Sequence, residues 1–142
     1  MQQTDKKVCV VCGKVLSYDN STGYCKEHLI EHRRNKRLEK WLTTGNTGYG
    51  IDTTIRGPIR EYIMNQQNGK CILCGQSTVW NGKELHLILD HIDGDASNSS
   101  RENLRLICPN CDSQLPTYKS RNKRSARNLR KQYIHDNYYM VE

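Results

Sequence analysis

Seven cysteines and one of the histidines fall into pairs spaced three positions apart: Cys9 with Cys12, Cys25 with His28, Cys71 with Cys74, and Cys108 with Cys111. Such a pair can close half of a tetrahedral shell, so two pairs supply the four ligands of a Zn²⁺ ion. Cys9, Cys12, Cys25 and His28 are the expected ligands of one structural Zn²⁺, and Cys71, Cys74, Cys108 and Cys111 those of a second. Four thiolates leave no position open for water, so the second ion should shape the protein rather than react. Between the halves of that site lies Leu89-Asp90-His91-Ile92-Asp93-Gly94; Asn103 comes later, and Asp112 follows Cys111 directly. An imidazole is a base near neutral pH, and carboxylates bind hard cations. His91, Asp90 and Asp112 are therefore candidate catalytic groups on a metal-stapled frame.

Other acidic and aromatic residues fit blander roles. Asp93 and Asp95 lack the closing Glu of a calcium loop and read as turn residues. His86 reads as structural or exposed, His32 and His135 carry no partner signal, and Trp41 and Trp80 read as packing residues.

The 142 residues are 35% hydrophobic and contain no Phe, a thin core for this length. Weak cores are commonly stapled by metal or disulfide. No apolar segment follows Met1, and no run of about 18 apolar residues could span a bilayer. A reduced, cytosolic setting is expected, where paired cysteines bind metal more often than each other.

The net charge of +7 is concentrated. Lys119, Arg121, Lys123, Arg124, Arg127, Arg130 and Lys131 form a stretch without an acid, and the rest of the chain balances. Thiolate ligands would lower the charge of the zinc-bound chain to about +4. A concentrated basic segment on a balanced protein suggests contact with a polyanion, the alternative being a solvated tail.

These residues must be positioned by few elements. Residues 1–42 read as a zinc-knuckle module followed by a basic helix from Glu27 to about Leu42. Residues 43–54, with three glycines and no periodicity, read as a linker. Gly57-Pro58 opens a helix that Asn68-Gly69 closes, with Ile59, Tyr62 and Ile63 on its buried face. Asn81-Gly82 signals a type I′ hairpin, with a strand running from Lys83 toward Asp90. A polar loop, a strand over Leu104–Ile107 and a helix from Pro109 complete residues 55–122. Residues 123–142 read as a basic C-terminal helix or tail. The fold class is small, zinc-stapled α+β. Asp90 and His91, adjacent at a strand end beside a loop, can both reach one cleft.

The run Leu89-Asp90-His91-Ile92-Asp93-Gly94, followed by Glu102-Asn103-Leu104-Arg105-Leu106-Ile107-Cys108-Pro109-Asn110-Cys111-Asp112, resembles the HNH endonuclease family. The resemblance covers about residues 57–122, including the Trp80-Asn81-Gly82-Lys83 turn of small phage-type members; residues 1–42 resemble their zinc-knuckle appendages. It implies a treble-clef-like ββα-metal core with flanking helices. It also implies phosphodiester hydrolysis in double-stranded DNA, and a protein acting in a bacterial host or encoded by a phage. His91 would be the general base and Asn103 would order the loop and orient it, while Asp90 and Asp112 would hold the catalytic metal. The last motif position is usually His; here it is Asp112. Two carboxylates favour Mg²⁺ or Mn²⁺ over Zn²⁺ or Ni²⁺.

The rate should rise with pH through a His91 titration at about pH 6–7. Arg101, Arg105 and Lys119 are the nearest candidate phosphate contacts, with Arg121, Lys123, Arg124, Arg127, Arg130 and Lys131 beyond them. The competing reading is a non-catalytic zinc-dependent DNA-binding protein with a degenerate site. The biological role, the recognised sequence, nicking against double-strand cleavage, and monomer against homodimer stay open.

Overall fold

The same knuckle is built twice. In each, the N–H of a left-handed glycine returns to the first cysteine's carbonyl: Gly13 to Cys9 and Gly75 to Cys71, at 2.8 and 2.9 Å. Single antiparallel bridges, Val8 with Val15 and Lys70 with Ser77, close the knuckles behind those turns. The structure is a computed structural model that describes residues 6–50 and 55–138.

Helix α1, Lys26–Thr44, begins directly after Cys25, so Cys25 and His28 lie on its first turn. Helix α2, Pro58–Gln66, starts with proline in its first turn, where a missing N–H costs nothing. Strands β1, Val79–Trp80, and β2, Lys83–Glu84, form a minimal hairpin. Asn81 and Gly82 both have positive φ, 51° and 72°, as a type I′ turn demands. Strands β3, Ile88–His91, and β4, Leu104–Ile107, pair antiparallel, with Asp90 opposite Arg105 and His91 opposite Leu104. Helix α3, Pro109–Gln114, follows β4, and α4, Ala126–Tyr138, lies near the end of the described residues. Short 3₁₀ turns occupy Arg101–Asn103 and Lys119–Arg121. The protein is thus small and α+β, with two cysteine clusters. No helix among the described residues is long and apolar enough to cross a membrane.

Three features differ from the sequence reading. The expected strand from Lys83 toward Asp90 is broken into β2 and β3, which belong to separate two-stranded sheets. The break follows from Leu87, which turns into the core, while Arg60 donates to its carbonyl oxygen. Trp80, expected to pack, is 57% exposed, on a minimal hairpin whose strand residues are all exposed. In the expected linker, residues 51–54 lie outside the described residues, while two residues of 45–50 are anchored and Asn46, Gly48 and Gly50 stay exposed. Thr47 is buried, and Tyr49 packs against the core, its hydroxyl accepting from Arg37 and donating to the Arg56 carbonyl.

One core joins these pieces: Trp41 from α1, Ile59 and Ile63 from α2, and Leu104, Leu106 and Ile107 from β4, together with Cys71 and Cys108 of the second cluster. The Gln67 side chain substitutes for a neighbouring strand. Its Oε1 accepts the Leu106 N–H and its Nε2 donates to the Leu106 carbonyl, both at 2.8 Å. Leu106 is fully buried between these partners. Leu106→Ala is expected to cost about 2–5 kcal/mol through lost burial and an unfilled cavity, measured by chemical denaturation.

Candidate active site and metal centres

Backbone geometry brings the two cysteine clusters together before any ion is considered. In each, the four candidate ligand atoms lie within 4.8 Å of one another. Zn–S bonds of about 2.3 Å place tetrahedral sulfurs about 3.8 Å apart. The observed separations match: Cys12 Sγ to Cys25 Sγ is 4.0 Å and Cys74 Sγ to Cys108 Sγ is 3.6 Å. His28 Nδ1 stands 3.5 Å from Cys9 Sγ and 3.2 Å from Cys25 Sγ. All seven cysteines are free thiols.

The thiol electrostatics also suit a cation. Burial opposes ionisation of Cys9, yet the backbone N–H groups of Cys25, Cys12 and Val11 and a bond from His28 bring it down to about 5. Cys71, likewise opposed by burial, is brought to about 6 by the N–H groups of Cys108, Cys74 and Leu73 and by Cys74. Cys111 is pushed up to about 12, chiefly by its hydrogen bond with Cys74 and then by burial and the neighbouring thiols. One thiolate forms readily in each group, while Cys12 and Cys111 resist ionisation, a cost that a bound cation would offset. Both donor sets fit Zn²⁺, so the clusters could hold it.

The second cluster sets the position of Asp112. Cys108 ends β4 and caps α3, its Sγ accepting from the Cys111 N–H at 3.5 Å. Asp112 is the next residue, in the first turn of α3, which packs on β3 where Asp90 and His91 lie. Asp90, His91, Asp112 and Lys119 line one open cleft of about 1350 Å³. The three candidate catalytic groups therefore share a cavity. They do not form a third tight cluster of the kind the cysteines make among the described residues.

The groups influence one another electrically. Burial raises the Asp112 carboxyl above its usual range, and the negative charge of Asp90 raises it further, opposed only by Lys119. Burial lowers the His91 imidazole below its ordinary value, while Asp90, Asp93 and Asp95 pull the other way. The net effect keeps His91 neutral at pH 7, the form a base requires. Asp90 is half-buried and ion-paired, its Oδ2 accepting from Arg105 Nε at 2.6 Å across the strand pair. That bond uses one carboxylate oxygen, and no hydrogen bond to Oδ1 is present among the described residues. Two carboxylates at one cleft, one with an uncommitted oxygen, fit a hard divalent cation.

Asn103 organises the β3–β4 loop rather than touching His91. Its Nδ2 donates to Asp93 Oδ1 at 2.8 Å and to the Asn98 carbonyl at 2.7 Å, and its Oδ1 accepts the Asp93 N–H at 3.0 Å. Asp93 is thus a loop tie, as the missing calcium pattern suggested. His91 itself is met by Ser99, whose Oγ is 3.3 Å from Nε2. Gly94 makes the tight turn after His91 at φ 74°, where a Cβ would stand 2.6 Å from Thr117 Cγ2. Gly94→Ala is expected to destabilise the protein by about 1–3 kcal/mol, read as a lowered thermal midpoint.

The candidate phosphate contacts divide. Lys119 reaches the main cleft. Arg105 is committed to Asp90, and Arg101 lies over the Tyr62 ring at 5.6 Å; both line a smaller groove instead. Arg124 pairs with Asp95 at 2.6 Å, and Arg121 donates weakly to the Ser113 carbonyl. Lys123, Arg127, Arg130 and Lys131 are exposed, and residues 131–137 of α4 are exposed throughout. Sequence reasoning missed Ser99, Arg56 and Arg60, which also line the cleft. The basic residues at the start of α2 were visible, but nothing in their spacing aimed them there. His86 is exposed, as expected, and faces Glu84 at 3.7 Å.

No family model matches the chain, and no solved structure matches it. Among curated proteins, it is 42% identical over 66 residues to the H-N-H endonuclease F-TflIV of Escherichia phage T5. The match takes in 45% of this chain, which spans only 29% of that protein's length. Together with a strand–strand–helix unit that gathers Asp90, His91 and Asp112 at one cleft, this similarity supports the HNH endonuclease family for the chain.

Proposed function

We propose that the protein is a metal-dependent HNH endonuclease that hydrolyses phosphodiester bonds in double-stranded DNA. Strands β3 and β4 with helix α3 would then form the ββα-metal core, held by one structural Zn²⁺, with a second in the N-terminal knuckle. The observation that carries this reading is the shared cleft lined by His91, Asp90 and Asp112. The phage T5 endonuclease similarity supports it over part of the chain.

In this mechanism Asp90 and Asp112 would hold a divalent cation, Mg²⁺ or Mn²⁺ on the chemistry of the donors. When bound, that ion supplies positive charge to the scissile phosphate and to the departing 3′-oxygen. Neutral His91 accepts the proton of the attacking water. Asn103 keeps the loop that carries His91's neighbours in one conformation. Arg105 holds the Asp90 carboxylate in place across the strand pair. Lys119 stands at the cleft to meet a flanking phosphate, and the basic stretch from Arg121 to Lys131 grips neighbouring duplex. Because His91 must be neutral, the rate should rise as pH increases through its titration and then level off. Burial places that rise below the ordinary imidazole value.

One such site cuts one strand, so the immediate product is a nick. The test is relaxation of supercoiled plasmid across divalent metals. Activity with Mg²⁺ or Mn²⁺ supports the reading, and activity confined to Ni²⁺ or Zn²⁺ contradicts the assigned ligands. The competing function, a DNA-binding protein without catalysis, predicts salt-sensitive binding and no cleavage with any metal.

A further inference from the structure

His91 is reached through a chain of contacts that begins in the N-terminal half of the protein. Its Nε2 lies 3.3 Å from Ser99 Oγ. The Ser99 carbonyl accepts the indole N–H of Trp41 at 2.7 Å, a bond spanning 58 residues of sequence. Trp41 is 1% exposed on α1, and its ring meets Tyr62 edge-on at 5.7 Å and 78°. One turn later, α1 ends at Gly45, φ 70°, where a Cβ would stand 3.3 Å from the Ser100 Cα. The C-terminal turn of α1 thus lies directly against Ser99 and Ser100 of the β3–β4 loop. At its other end the same helix carries Cys25 and His28 of the first cluster.

We propose that Ser99 and Trp41 are positioning residues for His91, and that α1 belongs to the catalytic unit rather than only to a zinc-knuckle appendage. This rests on the nuclease reading of the cleft. The hydroxyl of Ser99 accepts the Nε2 proton of the neutral imidazole. That fixes one tautomer and leaves the lone pair on Nδ1, the nitrogen that must then take the proton from water. Trp41 fixes Ser99 in turn: its N–H holds the carbonyl, and the close approach at Gly45 leaves the loop no room to retreat. An unanchored imidazole would divide its time among tautomers and rotamers, and the loss would appear in turnover rather than in DNA affinity.

The test uses the full chain and the variants Ser99→Ala, Ser99→Thr and Trp41→Phe, the last keeping an aromatic ring but removing the donor. Plasmid nicking in Mg²⁺ is resolved into kcat and KM, with thermal midpoints measured in parallel. Ser99→Ala is expected to lower kcat about 10- to 100-fold, the usual effect of removing a partner that orients a site imidazole. KM should hold, and Ser99→Thr should recover most of the rate by restoring the hydroxyl. Trp41→Phe should lower kcat by a smaller factor, and adding it to Ser99→Ala should cost little more. Wild-type turnover in Ser99→Ala, or a loss confined to KM, overturns the proposal.

Long-range ¹H–¹⁵N correlation of the His91 ring gives a second readout that does not depend on cleavage. A single Nε2–H tautomer in the wild type that becomes mixed in Ser99→Ala supports the assignment. The same tautomer mixture in both proteins overturns it. A wild type that fails to nick with every divalent metal tried defeats the nuclease reading instead, and the ring spectrum still decides whether Ser99 orients His91.

Discussion

Cys108→Ser is expected to abolish nicking and the cooperative thermal transition together. Cys108 is 2% exposed, terminates β4, caps α3, and contributes a sulfur to the second cluster. Structural zinc binding is worth about 10–16 kcal/mol, comparable to or larger than the about 5–15 kcal/mol that holds a whole small domain. A serine oxygen is a poor replacement for a thiolate, and the core it would leave is thin. The second cluster performs no chemistry in this account. Activity disappears because Asp112, four residues after Cys108, loses its position opposite β3. Melting curves and metal content per chain check this. A variant lacking zinc at this site that melts and cleaves normally would refute it.

Asp112→Ala should reduce nicking by at least about 100-fold, the upper end of what losing even an indirect partner of a metal costs. DNA binding should change little, because removing one acid from the cleft takes away repulsion toward phosphate. Asp112→His is the more informative partner, since it installs the residue usual at this motif position. It should retain cleavage while moving the preferred ion from Mg²⁺ toward softer metals that favour imidazole. Equal activity of Asp112→Ala and wild type would remove Asp112 from the site.

Some of this was legible in the chain because the relevant physics is local. The knuckles depend only on cysteine spacing and a following glycine, so both clusters could be written down before folding. Asn81-Gly82 specifies its own turn for the same reason, and α1 and α2 begin and end within about two residues of the bounds their sequence patterns give. Asp90, His91 and Asp112 were identified by type and position, while their common cleft depends on α3 packing against β3.

What was hidden depends on register and on single contacts. Arg105 reads as a free cation until the strand pairing sets it opposite Asp90. The break between β2 and β3 is decided by Leu87 finding the core, which alternation along one strand cannot foretell. Residues 45–50 look like a linker because only Thr47 and Tyr49 anchor them, too few for any period. Ser99 is one serine among several in a polar loop, and only Trp41, 58 residues earlier, distinguishes it.

The central claim is tested most directly by incubating supercoiled plasmid with Mg²⁺ and either wild type or His91→Ala, each at a concentration where a gel shift shows equal binding. Open-circular product with the wild type, reduced about 10²- to 10⁴-fold in the variant, is the predicted result. Equal nicking by the two proteins, or none by either, would contradict it.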